Sequence, residues 1–502
     1  MEVAIGAGVL LTIVACCALI VIASADRPSV LAATTTQGYF PRWMAGPLGG
    51  LWPSLTRNGK GLKYLFSAPI VLMYVCYVVG LKYVPRLPAR WAIMAILAVQ
   101  AIMFLSPPLA LTDIFNYVNY GRMEVVHNLN PYTTIPVLEP HNDPSYVLSN
   151  WHKLLSPYGP LFTLITFAVV PLGVAASFWM LKGLLMLTSL GIVLLVWHSA
   201  RLVGRDPVRA IVFVGLNPIV LVWGLGGDHN DFLMMFCVVL GFYLLLRAKY
   251  GGAGRQIGGP AATRAGEGEA VGSGAPVGPG ARPSEAEQPE AQWFSPTLIG
   301  AGVAFAAAVA IKASAGILLP VVLAALLPRR RELLQLLFGM ALGAVVFGAA
   351  SIVAFGPHLP DLATQGSLVT MVSIPNLLGL ALGLGGESET LRVLLSGVLV
   401  LCVAACSWLA WRRRDSIAPA GWASVALLVT LSWVLPWYVL WVLPFAALSE
   451  SRRLRTTALA IGVYLIVAWA PVTGYVFNAI DFHPEKTALG RLHQRYVKEL
   501  LY

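Results

Sequence analysis

Thirteen apolar runs divide this chain, most of them long enough, or nearly so, to cross a bilayer. Runs of about 18 or more apolar residues read as membrane spans. The runs fall at 3–23, 65–84, 91–111, 178–198, 209–225, 232–248, 297–311, 314–327, 333–355, 391–411, 420–434, 436–448 and 456–475. Backbone that meets lipid must satisfy its hydrogen bonds within helices or a closed barrel. Runs of this length predict helices, so the expected fold is an all-α polytopic bundle of about thirteen spans. Only 11% of residues are charged, against about 25% in a soluble domain.

The net charge of +11 does not point to nucleic acid, because of where it sits. Lys82, Arg86 and Arg90 lie in one short loop, and Arg201, Arg205 and Arg209 in another. Three more clusters follow: Arg329 to Arg331, Arg412 to Arg414, and Arg452, Arg453 and Arg455. With alternating spans these loops share one side, the positive-inside pattern of a cytoplasmic face. The segment from Arg27 to Lys63 breaks the pattern, with five basic residues on the other side. All six cysteines fall inside predicted spans, so no disulfide framework is expected.

Residues 250–293 are rich in Gly, Ala, Pro and Glu and poor in large apolar side chains. Such a segment cannot bury enough surface to fold, and it reads as a disordered cytoplasmic linker. It divides an N-terminal membrane module, 1–249, from a C-terminal bundle, 294–502. The module carries a large outer loop, 106–177, broken by Pro131, Pro136, Pro140 and Pro144. Its apolar stretch 161–175 reads as a helix lying in the interface, or dipping into the bilayer and returning, and not as a span, because no cytoplasmic charge follows it.

Polar chemistry gathers on the outer side. In ALTDIFNYVNYGR (110–122), a helix would set Asp113, Asn116, Tyr117 and Tyr120 on one face at i, i+3, i+4 and i+7. Asp113 could equally be a helix cap. GGDHND (226–231) puts Asp228, His229 and Asp231 in a tight turn between two runs, where acids are costly and mark a site. As the alternative, this is a solvated turn with Asp231 capping the next helix. Lys312 stands alone between apolar runs, either snorkelling to headgroups or binding an anion. The phrase SPYGPL (156–161), containing Tyr158, is stiffened by two prolines and shaped to wall a cavity. Tyr132, Trp151, Trp433, Trp437, Tyr438 and Trp441 cluster on this side, in part as an aromatic belt. No nucleotide-binding motif is present, so an activated substrate would arrive in the membrane.

Taken in order, Asp113, Asn130-Pro131-Tyr132, Ser156 to Leu161, Asn217-Pro218 and Gly227 to Asp231 resemble the GT-C glycosyltransferases that use polyprenyl-phosphate sugars. The closest likeness is to the actinobacterial α-(1→6)-mannosyltransferases of lipomannan and lipoarabinomannan synthesis. It is best over residues 90–250 and looser beyond them. The resemblance implies a bundle with an outward cavity beneath juxtamembrane helices, in a multi-pass plasma-membrane protein. It implies a polyprenyl-phosphate mannose donor, a lipid-linked mannan acceptor and inverting transfer, with Asp113 as base. Arg122 and Lys312 are then candidates for the donor phosphate. Asn116, Tyr117, Tyr120, Tyr158, Asp228, His229 and Asp231 become candidates for sugar binding or support. The aspartate stands alone in TDIFNY, without a DxD pair, so no cofactor is required and a divalent metal is not indicated. The same lipid-phosphate logic would serve arabinofuranose, glucose or galactofuranose. A lipid or sugar transporter would call for internal repeats and helices broken at the midplane, and no repeat is evident.

Overall fold

A computed structural model of the chain describes residues 1–25, 40–52, 59–251 and 295–501. The proposed linker, from residue 252 onward, and much of the basic Arg27–Lys63 segment lie outside the described residues. The described residues form helices and turns, with no strand among them.

Among those residues six helices are long and apolar enough to cross a membrane: Glu2–Ser24, Gly61–Arg86, Val174–Leu202, Asp231–Tyr250, Arg330–Phe355 and Glu389–Arg413. Arg452–Trp469 with Thr473–Ala479, bent by 78° between them, makes a seventh if the pair is one span. Thirteen spans is therefore not what is seen, because hydropathy counts apolar residues and ignores helix breaks. The run 91–111 stops as a helix at Phe104, ahead of Pro107 and Pro108. The run 209–225 divides at Asn217-Pro218 into a helix, Pro207–Gly215, and a π-helical turn, Val220–Leu225. Asn217 Oδ1 accepts the freed amides of Ile219 and Val220, which makes the break tolerable at membrane depth. The run 436–448 is a short 3₁₀ turn followed by Leu443–Leu448.

The helices Pro296–Ile311 and Arg330–Phe355 pack backbone to backbone. A Cβ on Gly339 would lie 2.1 Å from the Ile299 carbonyl oxygen, and one on Gly302 2.2 Å from that of Leu336. This is the small-residue contact that joins helices in lipid. Arg330–Phe355 and Glu389–Arg413 leave Val345, Val353, Val400 and Leu401 exposed, an apolar rim suited to acyl chains.

Helix breaks also position the polar end. The helix Asp113–His127 begins after Thr112 and closes on Asn128, which is left-handed at φ 54°. The stretch 161–175 becomes the short helix Pro160–Phe167 and a turn, Val170–Leu172, neither long enough to cross a bilayer alone. The helix Asp231–Tyr250 runs from this polar end to the basic one. Its far residues Lys249 and Tyr250 join Arg205, Arg329 and Arg414 around a cavity. At 1.5 Å per residue that is about 27 Å from Asp231.

Candidate active site

The helix Asp113–His127 is amphipathic, and its polar face meets the turn 226–231 and the loop 150–154. Asp113 is the first residue of the helix but not its cap. Thr112 holds that position, with no side-chain cap bond. The Asp113 carboxylate instead lies 3.3 Å from His229 Nδ1 and accepts a long 3.4 Å bond from Asn116 Nδ2. His229 stacks on Trp437 at 3.3 Å between ring centroids, 9° from parallel. Its other nitrogen, Nε2, is buried without a hydrogen-bond partner among the described residues.

Asp231 likewise opens its helix without capping it, since Asn230 is the cap residue. Its two oxygens accept four bonds: two from Lys312 Nζ (3.0 and 2.9 Å), one from Trp437 Nε1 (3.1 Å) and one from Trp441 Nε1 (2.8 Å). Lys312 Nζ also lies 4.9 Å from the Tyr438 ring centroid, a cation–π contact. The ammonium is thus paired and mostly buried, not snorkelling.

Lys312 is held there by the SPYGPL turn. Gly159 N–H donates to the Ile311 carbonyl at 3.1 Å, and a Cβ on Gly159 would come within 2.2 Å of the Ala310 oxygen. Only glycine allows this approach. Tyr132 O–H fixes the same turn through the Tyr158 carbonyl and Thr163. Tyr158 in turn meets Tyr117 edge to face at 4.7 Å, and the Tyr117 hydroxyl accepts the Asn230 amide.

These residues enclose one cavity of about 50 Å³. Asp113, Tyr117, Tyr158, His229, Asp231 and Lys312 line it, closed in by Trp151, Trp433, Trp437 and Tyr438. Six of the ten residues expected from sequence therefore meet at one place. Four do not line it. Arg122 turns away and forks onto Asp143, with Nε at 3.0 and 3.1 Å and Nη2 at 2.8 Å. The reason is helical geometry: nine residues after Asp113 is half a turn out of phase. Asp228, left-handed at φ 58°, pairs with Lys182 instead, both carboxylate oxygens 3.1 Å from Nζ. Asn116 binds the loop at Asn150 and Trp151. Tyr120, two turns along the helix, donates to the Leu154 carbonyl. These four support the walls.

Lys182 was not anticipated from sequence, although a lysine inside an apolar run carries the same signal as Lys312. The indoles of Trp437 and Trp441 were read as belt residues and are ligands of Asp231. Among the described residues no three His, Cys, Asp or Glu side chains form a group that could hold a metal ion.

Beyond the cavity, the segment 106–177 carries a second polar cluster around Asp143. Burial opposes it, but bonds from Arg122, Ser145 and His127 hold the Asp143 carboxyl well below the usual carboxylate range. Glu139 is pushed up to about 8, by burial first and by the charge of Asp143, against the pull of Asn119 and Arg122. A folded acid that keeps its proton is most stabilising below its unfolded value, and that stability is lost as pH rises through the folded one. Thermal unfolding of the detergent-solubilised protein should therefore fall by a few degrees between about pH 5 and pH 8. Glu139→Gln should flatten that slope, and an unchanged slope would remove Glu139 as its source.

Comparison with known proteins brings in a family. A family model described as alpha-(1→6)-mannopyranosyltransferase, N-terminal domain, matches residues 14–328, and one described as MptB C-terminal domain matches 369–482. The chain is 27% identical over 404 residues to alpha-(1→6)-mannopyranosyltransferase A of Mycobacterium tuberculosis, covering 74% of this chain and 68% of that one. A second alpha-(1→6)-mannopyranosyltransferase of that organism is 28% identical over 409 residues, covering 72% and 67%. Alpha-(1→6)-mannopyranosyltransferase A of Corynebacterium glutamicum is 27% identical over 158 residues, 30% of this chain and 31% of that one. No solved structure matches the chain significantly.

Proposed function

The chain belongs to the alpha-(1→6)-mannopyranosyltransferase family and is a glycosyltransferase, and from that premise we propose how and where it works. It moves mannose from a polyprenyl-phosphate mannose to a lipid-linked mannan, forming an α-(1→6) linkage at the outer face of the plasma membrane. Its bundle is of the GT-C type. The observation that carries this reading is Asp113, a carboxylate on the cavity wall aligned by His229 and facing the Lys312–Asp231 pair. The orientation rests on the basic loops at the far end of the helix Asp231–Tyr250.

Asp113 takes the proton of the acceptor hydroxyl as its oxygen bonds to the anomeric carbon. The bond from that carbon to the phosphate oxygen breaks, and the phosphate leaves with the electron pair. A single displacement inverts the centre, so a β-linked donor yields an α-mannoside. His229 Nδ1–H holds the carboxylate in register. Charge grows on the departing phosphate, where a preorganised cation is worth most. Lys312 supplies that cation, and Asp231 with its two indole donors fixes where it stands. The cavity of about 50 Å³ holds water and not a hexose. Its aromatic wall must therefore move aside as sugar enters. No metal or other cofactor takes part in this scheme.

The test uses membranes from a host without this activity, expressing the chain and given labelled polyprenyl-phosphate mannose with a short α-(1→6)-mannoside. The expected product is one mannose longer and is cleaved by an α-(1→6)-specific mannosidase. Transfer of a different sugar only, or no transfer, would overturn the reading.

A further inference from the structure

A second cleft adjoins the catalytic cavity at the same end of the bundle. Its volume is about 610 Å³, and Trp433 stands in the wall of both. The size falls within the range of small-molecule sites. One side is the end of the helix Arg452–Trp469, with Ala468 and Trp469, and another is the loop 369–372. The third is the helix Ala488–Leu501, which presents Gln494 and Lys498 one turn apart.

These walls are fixed. His493 Nε2 contacts the Glu387 carbonyl at 3.0 Å, and Leu500 O accepts from Lys153 N–H at 3.0 Å. Glu387 Oε1 takes bonds from Arg392 (2.9 Å) and from Ser432 Oγ (2.6 Å), next to Trp433. Thr370 N–H donates to the Ser432 carbonyl at 2.9 Å. Two buried polar atoms of these walls, Trp469 Nε1 and Glu387 Oε2, have no hydrogen-bond partner among the described residues.

We propose that this cleft is an acceptor subsite, holding the mannose units that precede the reacting one as the chain passes over Trp433. The inference rests on the mannosyl-transfer reading above. A pyranose has apolar C–H faces that suit the indoles of Trp433 and Trp469, and hydroxyls that can meet the Gln494 amide and the Lys498 ammonium, and the shared Trp433 makes the cleft continuous with the site of transfer.

The experiment compares wild type, Trp469→Phe and Gln494→Ala at matched expression, with a dimannoside and a pentamannoside carrying the same short alkyl group. Wild type should show the lower KM for the pentamer. Each variant should raise that KM about tenfold, the loss of an indole face in one and of an amide hydrogen bond in the other. KM for the dimer and kcat for both should hold. Such a split by acceptor length is not what a misfolded or loosened protein gives. Equal effects on dimer and pentamer would overturn the subsite and leave the transferase standing. So would a KM that follows the length of the alkyl group instead, which would make the cleft a lipid site. No transfer by wild type would overturn the function proposed above, and the subsite with it.

Discussion

Asp113→Asn should lower kcat for mannose transfer by about 10²–10⁴, the usual contribution of a positioned general base. KM for the lipid donor should change little. Asparagine keeps the shape of the side chain and can still meet His229, so only the proton-accepting oxygen is lost. The other carboxylate in the cavity cannot substitute, because Asp231 already accepts bonds from Lys312, Trp437 and Trp441. Initial rates in membranes at matched expression would measure the effect. An undiminished rate would remove Asp113 as base and leave the cavity's chemistry to another group.

The second large effect is on stability. Lys182→Met should destabilise the protein by about 3–5 kcal/mol, the cost of stranding one member of a buried ion pair. Lys182 and Asp228 are 1% and 0% exposed, so water cannot compensate either charge. Asn at position 228 tolerates left-handed backbone and carries no charge. The double variant Lys182→Met/Asp228→Asn should therefore recover most of the loss. Thermal unfolding in detergent would read both, and specific activity of the folded fraction should stay near that of wild type. A double variant as unstable as the single one would mean that the pair does not act as a unit. A folded double variant with no activity would return Asp228 to the chemistry.

The polar face of the Asp113 helix was legible because it is local: four residues within two turns obey one period. The cavity is not local. Asp113, His229, Lys312 and Trp437 are separated by roughly a hundred residues at each step, and no spacing rule brings them together. Arg122 could have been excluded earlier, since its position on the helical wheel opposes Asp113. The span count failed for a different reason. Apolar composition survives a break at Asn217-Pro218 or before Pro107, whereas the helix does not. Lys182 shows a limit of the same kind, because a charge deep in a span announces a partner without saying which of several acids it will find.

The cavity draws Asp113 and the turn 226–231 from before residue 252, and Lys312, Trp433 and Trp437 from after residue 295. This has a consequence for the order of biosynthesis. When the ribosome has made only the first half, Asp231 has neither Lys312 nor the indoles of Trp437 and Trp441. The carboxylate then waits at the membrane surface without its counter-ion. The full set of bonds on Asp231 exists only once translation has passed Trp441 and the later helices have closed against the earlier ones. A chain that ends before residue 312 lacks both the ammonium and the indole donors that Asp231 bonds.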